Sequence, residues 1–203
     1  VCMPARATLL TGQLIRTHGV VSNGIPVPED APNVAALLSE SGYRTALIGK
    51  AHFEPASDPK QSFFENWAAR EGQIGPHRGF DRMELAGHTG RAGRSLFHYP
   101  KWLAEHHPEE VQGYDQTIDA EGRVSGAGGG DTGAVQVAVN PIPREHYHTD
   151  WVADRAIEWL RTLDSDDDWF LWLSFPDPHH PWDPPSGERH RIPWRELDLP
   201  ANY

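Results

Sequence analysis

The chain opens on the stretch VCMPARATLLTG (residues 1–12), which places its one cysteine, Cys2, directly before a helix signal. Pro4 suits the first position of a helix, where its missing N–H costs nothing. The alanines and leucines that follow favour a helix, and Gly12 is a typical helix end. We therefore predict a short helix with Cys2 just outside its N-terminus.

The surroundings predicted for Cys2 favour negative charge. Unpaired backbone N–H groups and the positive end of the helix dipole face that point. Arg6 lies four residues further along, and its side chain leans back toward the same end. This combination indicates chemistry on a sulfate, phosphate or carboxylate. The alternative interpretation is a small buried cysteine that packs beside the helix.

The pattern Cys-x-Pro-x-Arg followed by Leu-Leu-Thr-Gly resembles the first signature of the sulfatase family. Cys2, Pro4, Arg6 and residues 9–12 all match it, whereas Met3 stands where a small residue is usual. In that family the cysteine is oxidised to formylglycine before folding. The resemblance implies that Cys2 is modified by a formylglycine-generating or sulfatase-maturating enzyme.

Composition predicts one globular domain with long connections. The chain has 203 residues, of which 38% are hydrophobic, together with 18 Pro and 19 Gly that favour turns and loops. The formal net charge of −11 argues against a nucleic-acid or anionic-membrane partner. An anionic substrate must therefore be met by a local basic cluster.

The cysteine count and the ends of the sequence do not determine the cellular compartment of the protein. One cysteine forms no internal disulfide, which is compatible with a cytoplasmic location and with an exported or periplasmic one. No signal-peptide pattern and no membrane-spanning apolar run is found. Because the sequence begins at Val1 and ends at Tyr203 without start or stop signals, we expect a fragment that is inactive alone.

Two predicted strands carry basic side chains past their carboxyl ends. Residues 32–40 have helical spacing, and the apolar run 43–48 that follows predicts a buried strand ending near Gly49. The run WFLWLSF (residues 169–175) predicts a central strand buried on both faces. A helix followed at once by a buried strand is typical of an α/β domain with a largely parallel sheet.

Ligands of such sheets bind beyond the carboxyl ends of the strands. Lys50 and His52 follow the first predicted strand, and His179 and His180 follow the second. These side chains are therefore candidates for an anion pocket around Cys2. Solvated loop side chains and histidines that cap a proline-rich turn are the alternative.

Two further segments extend the family resemblance. GYRTALIGKAHF (residues 42–53) is similar to the second sulfatase signature, whose lysine and histidine contact the formylglycine and the sulfate. SFPDPHHP (residues 174–181) resembles the third motif, in which a histidine reaches the sulfate ester; His179 is the match and His180 the weaker one. The implied fold is an alkaline phosphatase-like sandwich, incomplete at both ends, with residues 1–203 forming part of one N-terminal catalytic domain.

The resemblance implies hydrolysis of a carbohydrate, alcohol or aryl sulfate. Hydrated formylglycine attacks sulfur, and its second hydroxyl then expels sulfate. Arg6 and Lys50 serve the nucleophile and its metal, His52 orients or deprotonates it, and His179 protonates the leaving oxygen. Lys50, His179 and His180 contact the substrate. The family metal is Ca²⁺, and the formylglycine at Cys2 is the one ligand that can be assigned.

The remaining segments carry weaker predictions. Residues 88–147 lose periodicity and are interpreted as a variable insertion, with Trp102 and Tyr114 as sugar-stacking candidates or as anchors of the loop. The motif Gly79-Phe80-Asp81 predicts a turn with a buried Phe, and residues 150–163 predict a helix capped by Thr149 and Asp150. The histidines 106, 107, 146 and 148 and the acidic run 164–168 are interpreted as solvated groups and not as metal sites.

Two other functions are compatible with these residues. A phosphonate or phosphate monoester hydrolase of the same superfamily can share the Cys-x-Pro-x-Arg signature. A module that binds sulfated glycans without cleaving them would need no oxidisable residue at position 2, so the retained Cys2 argues against it.

Overall fold

A mostly parallel sheet forms the centre of the fold. The computed structural model describes residues 1–56, 58, 60, 62–88, 95–111, 117–118, 124–125, 137, 140–188 and 191–202. Its strands are β1 (Arg44–Gly49), β2 (Arg82–His88), β3 (Ser95–Phe97), β4 (Thr117–Ile118), β5 (Val124–Ser125) and β6 (Trp169–Ser174). The main sheet has the order β3-β2-β1-β6, in which β1 is parallel to β2 and β6 and only β3 is antiparallel. The predicted α/β class is confirmed.

Helices cover both faces of this sheet. They are α1 (Cys2–Thr11), α2 (Ile15–His18), α3 (Val34–Glu40), α4 (Phe64–Glu71), α5 (His98–His106) and α6 (His148–Leu160). Short 3₁₀ turns span Pro108–Glu110, Arg144–His146, Ser186–Glu188 and Trp194–Glu196. Within the described residues, no helix is long and apolar enough to cross a lipid bilayer.

Alternation along β1 divides its side chains between two hydrophobic cores. Leu47 lies in one core with Met3, Ala7 and Phe80, against α1 and α3. Ala46 and Ile48 point to the opposite face, into a second core that α5 and α6 close. Both faces of β1 are therefore covered by hydrophobic side chains.

The turn before β2 brings backbone against α3. Asn33 caps α3, because its side chain accepts a hydrogen bond from the N–H of Ala36 at 3.0 Å. Gly79 has φ +85°, and a Cβ there would lie 2.3 Å from the nitrogen of Ala36. Phe80 is fully buried, so the predicted turn with a buried Phe is confirmed.

Two local predictions are corrected, and one short helix is added. Cys2 is the first residue of α1 and not the residue before it, since the turn begins with a bond from the N–H of Ala5 to the carbonyl of Val1 at 3.2 Å. The added helix is α2, which ends at His18 and is capped by Gly19. Helix α6 begins at His148, so Thr149 is not its cap and instead donates a hydrogen bond to Asp177 at 2.6 Å.

Strand β6 is not the central strand that its apolar run predicts. It is the last strand in the order of the described sheet, and Trp169 and Leu173 are 50% and 43% exposed. A run of apolar residues reports hydrophobicity but not which neighbours cover it. The strand nevertheless pairs with β1 along its whole length, from Arg44 opposite Trp169 to Gly49 opposite Ser174.

The described part of residues 88–147 is not an irregular loop. It contains β3 and α5, and Tyr99 and Leu103 of α5 are buried in the second core. Elements this short give no clear hydrophobic periodicity in the sequence. The variable character of this range stays a prediction, and its Tyr114 and glycine-rich part lie outside the described residues.

Trp102 serves as an anchor in this structure. Its ring stacks on Tyr99 at 6.2 Å and on His106 at 5.5 Å, and it also contacts Trp151. The rings of His107 and His146 stack at 3.5 Å. The acidic run forms an exposed turn before β6, in which Asp167 accepts a hydrogen bond from the N–H of Asp164 at 2.9 Å.

Candidate active site

The site lies where β1 and β6 end side by side. The N–H of Lys50 donates a hydrogen bond to the carbonyl of Ser174 at 2.6 Å, directly after the last paired residues of the two strands. Gly49 has φ +98°, and a Cβ there would lie 2.0 Å from the same carbonyl oxygen. Only glycine permits this approach, so the residue brings both strand ends to one point.

The first turn of α1 presents Cys2 at that point. Met3 is fully buried, and its N–H donates to Oδ1 of Asn23 at 2.9 Å. The side chain of Cys2 is half-buried and is a free thiol. Met3 therefore anchors the first turn, and the thiol of Cys2 lies at the start of α1, where a helix has unpaired N–H groups.

Arg6 ties the helix to both strand ends. Its Nε lies 3.3 Å from Sγ of Cys2, and its Nη2 donates to Oγ of Ser174 at 3.0 Å. Its Nη1 donates to the carbonyl of Lys50 at 2.5 Å. These bonds hold the guanidinium in one orientation, with its Nε directed toward Sγ of Cys2.

Lys50 and His52 complete the ring of basic groups around the sulfur. Nδ1 of His52 lies 3.1 Å from Sγ of Cys2, and Lys50 is close enough to Cys2 for the two to affect the pKa of the lysine. His52 has φ +56°, an uncommon conformation for a residue with a Cβ that turns the chain back toward α1.

Burial and neighbouring positive charges lower the pKa values of His52 and Lys50. Burial is the main cause that lowers the pKa of His52 to about 4, and positive charges nearby add to it. Those charges belong to Lys50, Arg6 and His179. Burial also lowers the pKa of Lys50, while Cys2 raises it in part. Near pH 7 the imidazole of His52 is therefore neutral, and the cluster favours an anion.

The two candidate histidines after β6 are in different positions. His179 is close enough to His52 for its charge to affect the pKa of that imidazole. Its Nδ1 contacts the carbonyl of His180. The ring of His180 is exposed and faces Trp182 at a centroid distance of 6.4 Å. The structure thus brings His179 toward the cluster, whereas His180 is exposed and its ring lies 4.3 Å from the ring of His179.

An open cavity of about 310 Å³ adjoins this segment. Its lining includes Tyr147, Asp177, Pro178, Trp182 and Arg144. Trp182 is 46% exposed, and its Nε1 donates to the carbonyl of Pro178 at 2.9 Å. Sequence reasoning missed this cavity and the contact of Ser174 with Arg6, because neither has a local pattern.

The fold and the site together define the class of protein. Basic side chains gather around Cys2 at the carboxyl edge of a mostly parallel α/β sheet, and this fold is alkaline phosphatase-like. The sequence pattern that defines the Sulfatase family matches residues 1–190, and the chain belongs to that family.

The relatives include sulfatases and phosphonate hydrolases. The chain is 30% identical over 190 residues to an arylsulfatase of Clostridium perfringens, a match that covers 91% of this chain and 35% of that protein. It is 28% identical over 200 residues to the multifunctional alkaline phosphatase superfamily protein PehA of Trinickia caryophylli, covering 98% and 35%. The solved phosphonate monoester hydrolase of Silicibacter pomeroyi superposes with a TM-score of 0.64 and 25% identity, covering 99% and 37%. The chain therefore spans about a third of the length of these relatives.

The surroundings of Cys2 fit an anion and not a complete cation site. Side chains of Arg6, Lys50 and His52 gather around this residue, and all three are basic. Among the described residues, the group of three side chains that could together hold a metal ion is Glu54, Glu65 and His77, and it does not include Cys2. The described residues around Cys2 therefore do not by themselves supply the oxygen ligands of a calcium ion.

Proposed function

We propose that the protein hydrolyses a sulfate ester through a formylglycine made from Cys2. The observation that carries this proposal is the position of Cys2 Sγ, 3.1 Å from Nδ1 of His52 and 3.3 Å from Nε of Arg6. The thiol sulfur marks the place that an oxygen of hydrated formylglycine would occupy. When hydrated, formylglycine supplies a hydroxyl as the nucleophile.

His52 is suited to act as the base. Because its pKa is lowered to about 4, the imidazole is neutral near pH 7 and its Nδ1 can accept a proton from the group at the Sγ position. Arg6 and Lys50 direct N–H groups to the same point, where the sulfate oxygens gain charge in the transition state. His179 donates the proton that the leaving oxygen requires.

The proposal extends to partners and to a cation. A formylglycine-generating or sulfatase-maturating enzyme would act on Cys2, and a sulfated small molecule or glycan would be the substrate. We propose that Ca²⁺ is bound at the modified Cys2, as in the family, with its other ligands supplied by parts of the protein beyond these residues. The cavity beside Trp182 would hold the group that leaves with the ester oxygen.

A phosphonate or phosphate monoester hydrolase is the second candidate. PehA and the phosphonate monoester hydrolase of Silicibacter pomeroyi are both similar to this chain over nearly its whole length. The basic cluster around Cys2 would attract a phosphonate monoanion as well as a sulfate. The arylsulfatase of Clostridium perfringens, at 30% identity, and the Sulfatase family match favour the sulfate ester.

The test begins with the chemical state of residue 2. The complete protein is produced with a maturation enzyme, and the peptide that contains Cys2 is analysed by mass spectrometry. We expect loss of sulfur and an aldehyde that reacts with a hydrazide. An intact thiol under these conditions contradicts the proposal and supports a binding module or a plain cysteine nucleophile.

Rates then decide between the two ester classes. An aryl sulfate and an aryl phosphonate with the same leaving group are compared, with Cys2→Ala as the inactive control. A higher kcat/KM for the sulfate supports the proposal. A higher kcat/KM for the phosphonate assigns the second candidate.

A further inference from the structure

Two glutamates and a histidine form a buried cluster apart from the thiol. Glu54, Glu65 and His77 are 3%, 0% and 7% exposed. Each offers one ligand atom, and these atoms lie within 4.8 Å of one another. They come from the segment after His52, from the first turn of α4 and from the turn before β2. Three parts of the chain that are distant in sequence thus meet at one point.

The hydrogen bonds and ion pair of the two glutamates leave one carboxylate poorly compensated. Oε1 of Glu65 accepts from the N–H of Phe53 at 3.1 Å, and Oε2 of Glu54 accepts from the N–H of Glu65 at 2.7 Å. The guanidinium of Arg78 lies 3.3 Å from Oε1 of Glu54. The ion pair therefore belongs to Glu54, whereas the hydrogen bonds of the fully buried Glu65 come from backbone N–H groups.

Two polar atoms in the cluster have no hydrogen-bond partner among the described residues. They are Oε2 of Glu65 and Nε2 of His77. Nε2 of His77 lies 3.6 Å from Oε1 of Glu65, so the imidazole nitrogen faces the carboxylate. An unsatisfied buried carboxylate is costly, and a proton or a cation removes that cost.

A stacking contact fixes the ring of His77. Phe64 stacks on it at a centroid distance of 5.0 Å. The contact holds the imidazole in the orientation that directs its Nε2 toward Glu65.

A cavity of about 260 Å³ gives access to the cluster. Glu54, His77 and Arg78 line it together with Phe64, Pro76 and Glu29. Glu29 is exposed and adds negative charge at this opening. A divalent cation can therefore reach the ligand atoms from solvent.

We propose that Glu54, Glu65 and His77 bind a divalent transition metal of the Zn²⁺ class. Two carboxylate oxygens and one imidazole nitrogen are typical ligands of zinc and of its neighbours, whereas Ca²⁺ and Mg²⁺ prefer oxygen alone. Zinc bonds of about 2.0 to 2.2 Å require the three ligand atoms to approach one another slightly. The bound metal would join α4 and the turn before β2 to the segment that follows His52, and would stabilise the site without entering the reaction.

The test measures bound zinc in the complete protein. Cys2→Ala serves as the parent, because it removes a thiol that would also bind zinc. After chelation and dialysis against Zn²⁺, the parent is compared with Glu65→Gln and His77→Gln in the same background. Glu84→Gln is the matched control, since Glu84 is a buried glutamate paired with Arg82 elsewhere. Circular dichroism checks that each variant is folded.

We expect the parent and the Glu84→Gln control to bind one more equivalent of zinc than Glu65→Gln and His77→Gln. Zinc should raise the thermal midpoint of the parent but not of those two variants, and Ca²⁺ should not replace it. X-ray absorption at the zinc edge of the parent should show one imidazole in an oxygen-rich shell. Equal zinc content in all folded variants, or a shell with two or more imidazoles, overturns the proposal.

Discussion

Arg6 contacts three groups that come from different parts of the chain. Its guanidinium reaches Cys2, the carbonyl of Lys50 and the hydroxyl of Ser174. A lysine has a single ammonium and cannot make these contacts in one plane. Sequence spacing predicts that Arg6 leans toward Cys2, but its contact with Ser174 depends on the position of β6.

Arg6→Lys should therefore lower kcat/KM for an aryl sulfate by about 100-fold, the effect of removing one preorganised donor. Ser174→Ala should have a smaller effect, within about tenfold, because it removes one bond to the guanidinium. Steady-state kinetics of the matured protein give both values. Arg16→Lys, an exposed position on α2, is the control, and an Arg6→Lys enzyme with the parent rate would contradict this role.

His179 should matter most for esters with poor leaving groups. His179→Ala should lower kcat for an alkyl sulfate by about 100-fold or more, because general acid catalysis is lost. It should change the rate for a nitrophenyl sulfate little, since that leaving group needs no proton. His106→Ala, at an exposed histidine of α5, is the control. An equal loss for both esters would assign His179 to substrate binding.

At the scale of elements, Gly49 decides how closely β1 and β6 approach at the site. Its φ of +98° is similar to the +92° of Gly42, but a Cβ at Gly42 would meet nothing within 4 Å. Gly49→Ala should therefore cost clearly more stability than Gly42→Ala, by at least about 2 kcal/mol, since it adds a backbone clash to the same conformational strain. Thermal unfolding measures the difference. Equal costs would show that the two strand ends separate easily.

His98, the first residue of α5, makes one hydrogen bond to β2 and one to the segment after α4. Its Nδ1 accepts from the N–H of Leu85 at 3.0 Å, and its Nε2 lies 2.9 Å from the carbonyl of Gln73. Both bonds form together only when the ring is neutral, with the proton on Nε2. His98→Gln should therefore lower stability by about 1 to 3 kcal/mol at pH 7.5, because a buried acceptor and donor are lost.

The effect of His98 should depend on pH. Burial is the main cause that lowers the pKa of His98 below its ordinary value of about 6.5, so below that pH the unfolded chain binds a proton that the folded chain does not. Its contribution to stability is present above about pH 6.5 and is lost as the pH falls. The difference in thermal midpoint between parent and His98→Gln should be smaller at pH 5.5 than at pH 7.5. A larger difference at pH 5.5 would contradict this sign.

At the scale of the whole molecule, the outer side of β6 carries exposed apolar residues. Trp169, Leu173 and Phe175 are 50%, 43% and 38% exposed, and β6 ends the described sheet. An edge strand of this kind is a template for pairing with another chain.

Residues 1–203 produced by themselves should therefore self-associate. Leu173→Lys should reduce the sedimentation coefficient of the associated species, because a charge on the edge strand opposes pairing. Leu37→Lys is the control, since Leu37 is 60% exposed on α3, away from that edge. A monomer in both the parent and the control would show that this edge does not associate.

The sequence by itself determined the elements and the chemistry that they carry. Short-range patterns predict α3 and β1 closely, since hydrophobic spacing and a cap are local properties. The motifs around Cys2, Lys50 and His179 predict an anion site of the sulfatase type because they fix residue types next to predicted strand and helix ends. The family that these motifs indicate is confirmed.

Only the tertiary structure decided which side chains meet. The adjacency of Gly49 and Ser174, the contact of Ser174 with Arg6 and the edge position of β6 follow from pairing between strands that are far apart in sequence. The cluster of Glu54, Glu65 and His77 also has no local signal, because each glutamate alone resembles a solvated charge. Burial depends on which elements cover a residue, and that information is distributed over the whole chain.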